Sequence, residues 1–215
     1  MEFKLSMFAI YEDEPGYFGS SPKPDQQKSI KLANGLPFRF TGKNEIKDLE
    51  IWPPRSLVGV GVYEQGAMVV HQFLVENPNH VQKHPAYKLM LDMFPNGTFM
   101  FLGLHSVVNY FGYAVFEKGK LIRCYSGAED HIDAEFGQLL PEEKPHFEHS
   151  YVMDGMRYFK SEEFPDDDFD APAYGETLAM DLSVRLFGKT LDDRDFPIPT
   201  CDFYYFSRKP WYQFW

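Results

Sequence analysis

The dipeptide His105-Ser106 could carry nucleophilic chemistry, because it follows a predicted strand at a place where catalytic side chains often project. A serine nucleophile also needs a base and an orienting acid, and in one common arrangement it sits in a G-x-S-x-G elbow. That elbow is absent, since Gly103 lies one position too early and Val108 stands where the second glycine belongs. A turn whose side chains bond to backbone groups explains the same residues more simply. We therefore prefer the turn and assign no catalytic residue.

Histidine pairs are the second feature that could do chemistry, as ligands of a metal ion. His80 and His84 are four residues apart, as two ligands on one helix face would be, but Pro85 follows at once and places the pair before a helix. His146 and His149 fall in an acidic stretch. Neither pair belongs to an H-E-x-x-H motif or accompanies a cysteine pair, so no metal site is predicted.

The glycines of one apolar stretch raise the question of a nucleotide cofactor. Gly59, Gly61 and Gly66 do not have the spacing of a dinucleotide fingerprint, no helix follows them, and no G-x-x-x-x-G-K-[ST] loop occurs in the chain. No cofactor is therefore predicted. Gly59 and Gly61 would instead leave one face of a strand bare, which favours close approach of a helix, an aromatic ring or a ligand.

The elements that must position these residues are clearest in the densest apolar stretch, residues 98–127. It predicts three consecutive strands, Phe99–His105, Asn109–Glu117 and Lys120–Ser126, the last two joined by a short turn that contains Gly119. Both alternating sets of side chains in the second strand are mostly apolar. Such a strand is covered on both faces, so we expect this hairpin to lie centrally in a sheet.

The rest of the chain predicts further strands and three helices. The strands are Phe3–Tyr11, Leu57–Tyr63, Ala67–Val75 and, at an edge, Asp202–Ser207, and the helices are Gln26–Ala33, Pro85–Met93 and Ala173–Phe187. Residues 36–56 read as irregular, and residues 128–172 read as a long acidic loop. We expect one α+β domain over residues 1–215, with a mostly antiparallel central sheet of about five to seven strands and two or three helices packed on it.

Charge excludes some partners. The 32 acidic and 21 basic residues give a net charge of −11, which repels nucleic-acid backbones and suits a basic protein partner, although solubility alone explains many acidic proteins. No apolar run has the length of a signal peptide or a membrane span. Cys124 and Cys201 have no metal-like spacing and are expected to be reduced core residues. These features predict a cytoplasmic protein that does not bind nucleic acid or membrane.

Candidate partner-binding residues are acidic or aromatic. They are Glu129, Asp130, Asp166, Asp167, Asp168, Trp211, Tyr212 and Trp215. Carboxylates would steer the approach of a basic partner, and the aromatic residues would anchor it. For the aromatic C-terminal tail two interpretations remain open: it docks into a groove of its own fold, or it presents its rings to the partner.

Several stretches resemble a bacterial family of unknown function that is common in actinobacterial genomes. The central segment of that family reads H-S-V-V-D-W-F-A-F-A-V-W-E-x-G-x-L-x-R-S, and this chain has HSVVNYFGYAVFEKGKLIRC from residue 105. Asn109, Tyr110 and Cys124 replace the Asp, Trp and Ser of the family. The Trp52-Pro53-Pro54 segment and YGETLAMDLSVRLFG from residue 174 also match. The resemblance covers most of the chain and implies a single fold, and it brings no activity with it.

Two classes of function follow from the sequence. The first is a cytoplasmic protein that binds another protein, most concretely an immunity protein that neutralises a bacterial toxin or effector. The second is an enzyme or small-molecule-binding protein with a site around His105, Ser106, Asn109 and Arg123. The first is the prediction, and the second is its alternative.

Overall fold

The computed structural model describes residues 3–12, 14–72, 74–75, 77–160 and 166–207. Within them lie twelve strands: β1 Lys4–Tyr11, β2 Arg39–Asp48, β3 Leu57–Tyr63, β4 Gly66–Val70, β5 Thr98–His105, β6 Tyr110–Glu117, β7 Lys120–Ala128, β8 His131–Gly137, β9 Ser150–Met153, β10 Met156–Lys160, β11 Asp168–Asp170 and β12 Thr200–Ser207. The α-helices are α1 Gln26–Gly35, α2 Pro85–Met93, α3 Lys144–Glu148, α4 Ala171–Leu182 and α5 Val184–Phe187. Short 3-10 turns cover Tyr17–Ser20, Pro78–Lys83 and Ser106–Val108.

Nine of the strands form one large sheet in the order β2-β12-β3-β4-β1-β5-β6-β7-β8, and every neighbouring pair is antiparallel. The other three form a small sheet in the order β11-β10-β9. One face of the large sheet packs against α4, α5 and the small sheet, and the other packs against α1 and α2. Among the described residues, no helix is both long enough and apolar enough to cross a membrane.

The predicted α+β fold with five to seven strands is wrong, because the described residues are mostly β, with a nine-stranded sheet, a second sheet of three strands and five short helices. The missed strands share a physical reason. Strand β2 is exposed along most of its length, and β8 and β9 are largely exposed, so none shows the apolar alternation that reveals a half-buried strand. Within its described residues, the stretch read as a long acidic loop contains β8, α3 and the small sheet.

Three local predictions also need correction. Strand β12 is not an edge strand, because it pairs with β2 on one side and β3 on the other. The β6–β7 hairpin is not central, since among the described strands of the large sheet only β8 lies beyond β7. The single helix predicted over Ala173–Phe187 is two helices, broken at Ser183, whose hydroxyl donates to the Met180 carbonyl and accepts from the Leu191 N–H.

The bare face that the glycines of β3 leave is filled by aromatic rings of the same sheet. A Cβ added at Gly59 would lie 2.8 Å from an edge carbon of Phe203, and one added at Gly61 would lie 2.6 Å from the Tyr63 ring. Glycine at these positions therefore serves core packing, and the space over this part of β3 is filled without a ligand.

Asp202 of β12 is a buried carboxylate without a hydrogen-bond partner among the described residues. The hydroxyl of Ser29 lies nearby but donates to the Asp25 carbonyl. Burial raises the pKa of Asp202, and the Ser29 hydroxyl opposes that rise only in part. Because the folded state favours the protonated carboxyl, this group destabilises the fold increasingly as the pH rises through its raised pKa.

We therefore expect Asp202→Asn to be at least as stable as the parent protein at pH 8. At pH 4 the difference in the free energy of unfolding should shift in favour of the parent protein. The amide keeps the size of the side chain but carries no charge to desolvate, a burden of about 1–3 kcal/mol for a buried unpaired group. Urea denaturation at both pH values measures the difference. A matched change at the exposed Asp48 on β2, Asp48→Asn, is the control. The same pH trend in both variants would contradict the assignment to Asp202.

Candidate functional site

The dipeptide His105-Ser106 lies at the end of β5, and its two side chains do not form a catalytic pair. The Ser106 hydroxyl accepts from the Phe3 N–H at 2.7 Å and donates to the Phe3 carbonyl at 3.0 Å, so it ties the start of the chain to this corner. Nδ1 of His105 is buried and has no hydrogen-bond partner among the described residues. The structure therefore places a hydrogen-bonded serine beside an imidazole whose Nδ1 is unpaired within the described part of the chain.

Asn109 closes the turn after Ser106, and its backbone explains its residue type. Its φ of 45° lies in the left-handed region, where its N–H bonds the Ser106 carbonyl. Asn and Asp tolerate this region better than most side chains. The turn therefore accounts for the asparagine at this position.

Arg123 lies in a different environment from His105. It packs with Tyr113 and Tyr125 on the face of the large sheet that carries α4, whereas His105 belongs with Phe101 on the opposite face. The structure does not bring Arg123 to the His105 corner. Its partner is instead Glu143, which lies in the stretch predicted from the sequence to be a long acidic loop.

The Arg123–Glu143 pair is almost completely buried, with 2% and 0% of the side chains exposed. Nε and one Nη of Arg123 both lie 2.8 Å from Oε1 of Glu143. The carboxylate also accepts from the Tyr113 hydroxyl and from the Leu140 N–H, each at 2.7 Å. Burial first, and then the Glu143 carboxylate, raises the pKa of Tyr113 well above its ordinary value, so the phenol stays protonated and donates.

Further contacts hold the acidic segment, defined here as residues 129–170, against α4 and α5. His146 of α3 lies between the Tyr174 hydroxyl, 2.9 Å from Nδ1, and the Asp181 carboxylate, 2.6 Å from Nε2. Glu142 accepts from Nε of Arg185 at 2.9 Å. The histidine considered as a metal ligand in the sequence therefore joins two elements of the fold through hydrogen bonds.

Aromatic stacking completes this anchor. The rings of Phe159 and Tyr174 stack at 4.7 Å and an angle of 6°, and Phe147 meets Phe159 edge-on at 5.2 Å. Phe147 in turn contacts Tyr125 of β7. Because apolar and ionic contacts hold the inner side of residues 129–160 and 166–170, the outer side of these residues has a defined position.

The outer side of the small sheet exposes apolar groups next to carboxylates. Tyr151, Val152 and Met153 of β9 are 36%, 59% and 50% exposed, and the Tyr151 hydroxyl donates to Asp168 at 2.8 Å. Within the described part of the chain, no strand pairs with the outer edge of β9. Exposed apolar side chains and an open strand edge are features of surfaces that bind other proteins.

The predicted partner-binding residues do not form one cluster. Glu129 and Asp130 form the exposed turn between β7 and β8, whereas Asp166, Asp167 and Asp168 lead into and begin β11 of the small sheet. No hydrogen bond or ion pair joins the two groups within the residues that the structure describes. Trp211, Tyr212 and Trp215 lie outside the described residues.

A cavity of about 260 Å³ opens where β1 begins and β5 ends. Its wall is mostly apolar and includes Leu5, Trp52, Phe101 and Tyr110, with His105 among the polar groups. The Trp52 and His105 rings meet edge-on at 5.9 Å. Sequence reasoning reached His105 but missed Trp52 and Phe101, because aromatic residues are abundant in this chain and only the fold selects the few that surround a space.

These features define a mostly β protein, built on a nine-stranded antiparallel sheet, with a buried ion pair that anchors an acidic segment. The chain belongs to the family of unknown function DUF6928, which matches residues 5–194 and so includes both the acidic segment and the cavity. No curated protein and no solved structure matches the chain. The actinobacterial distribution of the family and the single-domain assignment stay predictions.

Proposed function

We propose that this protein binds a basic protein partner through the acidic segment. One observation carries the proposal: residues 129–170 hold 14 acidic and 3 basic side chains, a net charge of −11, while the rest of the chain holds 18 of each. The whole net charge of the protein therefore comes from one segment. Charge added for solubility would instead be spread over the surface.

The anchoring of the segment supports the same proposal. Because the Arg123–Glu143 pair and the Phe159–Tyr174 stack hold its inner side, the described residues of the segment present their exposed carboxylates without a large loss of conformational freedom on binding. The exposed Tyr151, Val152 and Met153 supply the apolar contact that charge alone does not.

In its most concrete form, the partner is a bacterial toxin or effector and this protein is its immunity protein. A nuclease or similar effector carries a basic active site that contacts phosphate, and an acidic surface can cover it. This form of the proposal also places the protein in the cytoplasm, where such a toxin would otherwise act.

Affinity purification from the native host tests the proposal. We expect the tagged protein to recover one basic protein in a stoichiometric complex, and Asp130→Lys, Asp166→Lys and Asp167→Lys together to lose it. All three side chains are exposed, so the fold should tolerate the change. With the purified pair, the association rate should fall at least about tenfold in the triple variant, and that of the parent should fall with rising ionic strength.

A matched control changes three exposed acidic residues outside the acidic segment, Glu64→Lys, Asp92→Lys and Glu117→Lys. It alters the net charge by the same amount and should keep the partner. Equal loss in both triple variants would point to net charge alone and contradict the assignment to residues 129–170. Recovery of no stoichiometric partner by the parent protein would overturn the proposal itself.

A further inference from the structure

We propose that the cavity beside His105 binds a small aromatic carboxylate, independently of the acidic segment. In this arrangement the ring enters the apolar part of the cavity, and the carboxylate bonds to His105 and Gln72. Both side chains line the cavity. The proposal uses neither Ser106 nor Arg123, because the structure commits both to other contacts.

The size and lining of the cavity select an aromatic ring. A dry cavity of about 150 Å³ accepts benzene, so a volume of about 260 Å³ accommodates a two-ring system. Aromatic rings in the wall suit a flat apolar ligand, and Trp52, Phe101 and Tyr110 supply them here. Gly103 lets two of these rings pack against its backbone, since an added Cβ would lie 2.7 Å from Phe101 Cζ and 3.2 Å from Tyr110 Cε1.

The polar groups select a ligand that accepts hydrogen bonds. Nδ1 of His105 is buried and has no partner within the described residues, and an unpaired N–H there would be costly. We therefore place the ring proton on Nε2, which leaves an N–H donor. Oε1 of Gln72 already accepts from Nε of Arg55 at 3.2 Å, so the amide nitrogen of Gln72 remains to donate.

The local charge favours an anionic acceptor. Lys4 lies directly opposite His105 in the β1–β5 register and so shares its face of the sheet, and Arg55 lies beside Gln72. Residues 1–128, which build the cavity, hold 12 acidic and 13 basic side chains, so the negative charge of the protein lies elsewhere in the chain. A carboxylate can accept from both donors at once, and the charge of this part of the chain does not oppose an anion.

Titration with 2-naphthoate by calorimetry, using the full-length protein, tests this site. We expect saturable one-to-one binding with a Kd below about 1 mM, and shifts of the backbone amide signals of Gly103, His105 and Ala128 in the NMR spectrum. Val108 is 44% exposed and lines the cavity, so Val108→Trp should fill it without disturbing the fold and abolish binding. Unchanged binding in that variant would place the ligand elsewhere and overturn the proposal.

A second pair of measurements tests the polar contact. His105→Phe keeps a ring against Trp52 but removes the donor, so 2-naphthoate should bind about tenfold more weakly. The neutral isostere 2-naphthamide should bind the parent protein more weakly than 2-naphthoate does. Its affinity should also fall less than that of 2-naphthoate in the His105→Phe variant. Leu121→Ala, an exposed change at the far end of the β6–β7 hairpin, should leave both affinities unchanged. Absence of saturable binding to the parent, or equal loss of both ligands in His105→Phe, would refute the assignment.

Discussion

Arg123→Met should destabilise the protein by about 3–5 kcal/mol, because it strands the Glu143 carboxylate in a site from which water is excluded. Methionine fills much of the space of the arginine stem, so the loss reflects charge more than packing. The carboxylate would keep its bonds from the Tyr113 hydroxyl and the Leu140 N–H, but it would lose its only buried cation among the described residues. Urea denaturation at pH 7 measures the free energy of unfolding directly.

The double variant Arg123→Met with Glu143→Gln should recover more than half of that loss. Glutamine carries no charge, its carbonyl oxygen can accept from the Leu140 N–H, and its amide nitrogen can donate to the Tyr113 hydroxyl. The coupling between the two substitutions separates the cost of a lone buried charge from the cost of losing contacts. A double variant no more stable than Arg123→Met alone would show that packing, and not charge, dominates this site.

Arg157→Met is the matched control for the same region. Arg157 lies over the Phe147 ring at 4.9 Å and donates to the Ser150 hydroxyl at 2.8 Å, but it is not fully buried and has no carboxylate partner among the described residues. Its loss should cost within about 1 kcal/mol. The two variants should also differ in function. Arg123→Met should weaken partner binding because it releases the acidic segment, whereas Arg157→Met should not.

Elements with strong local signals were predictable from the sequence. Helix α2 has the predicted bounds, Pro85–Met93, because proline suits the first helical position and a helix-ending segment follows Met93. The predicted strands Phe99–His105 and Lys120–Ser126 lie inside β5 and β7, which are one and two residues longer. Dense apolar runs with a glycine turn leave little alternative to a hairpin.

The surface strands and the anchor of the acidic segment were not predictable in the same way. Strand β2 is polar and exposed, so only its pairing with β12 reveals it. Glu143 lies among many carboxylates, and nothing local distinguishes the buried one from those in solvent. A usable signal existed at Arg123, because an arginine within an apolar strand must find a partner when it is buried. That signal indicated a pair but did not identify which carboxylate forms it.

His84→Asn should remove a large part of the acid sensitivity of this fold. Nδ1 of His84 accepts from the Ala86 N–H and so caps α2, while its ring contacts Phe8 edge-on at 5.0 Å. Burial, and then the charge of His71, lowers the pKa of His84 to about 4. Protonation would add a charge in a poorly hydrated place and abolish the lone pair that makes the cap.

The sign of the pH effect follows from this lowered pKa. Between pH 6.5 and about 4 the unfolded chain binds a proton at His84 that the folded chain does not, so stability is full above pH 6.5 and falls as the pH drops through this window. The shift corresponds to about 3 kcal/mol at most. Asparagine also caps a helix but does not titrate, so the stability of His84→Asn relative to the parent should rise steadily from pH 7 to pH 4.

Urea denaturation of the parent protein and the variant at intervals of half a pH unit measures this relative stability. The contributions of the carboxylates to the pH dependence are the same in both proteins, so they cancel in the difference. His80→Asn is the control, because His80 is exposed in the neighbouring 3-10 turn and should give a flat difference. At pH 7 the His84 variant should lose about 1 kcal/mol through the poorer fit against Phe8. A flat difference for His84→Asn as well would mean that the folded protein protonates His84 without cost, and the neutral cap would have to be abandoned.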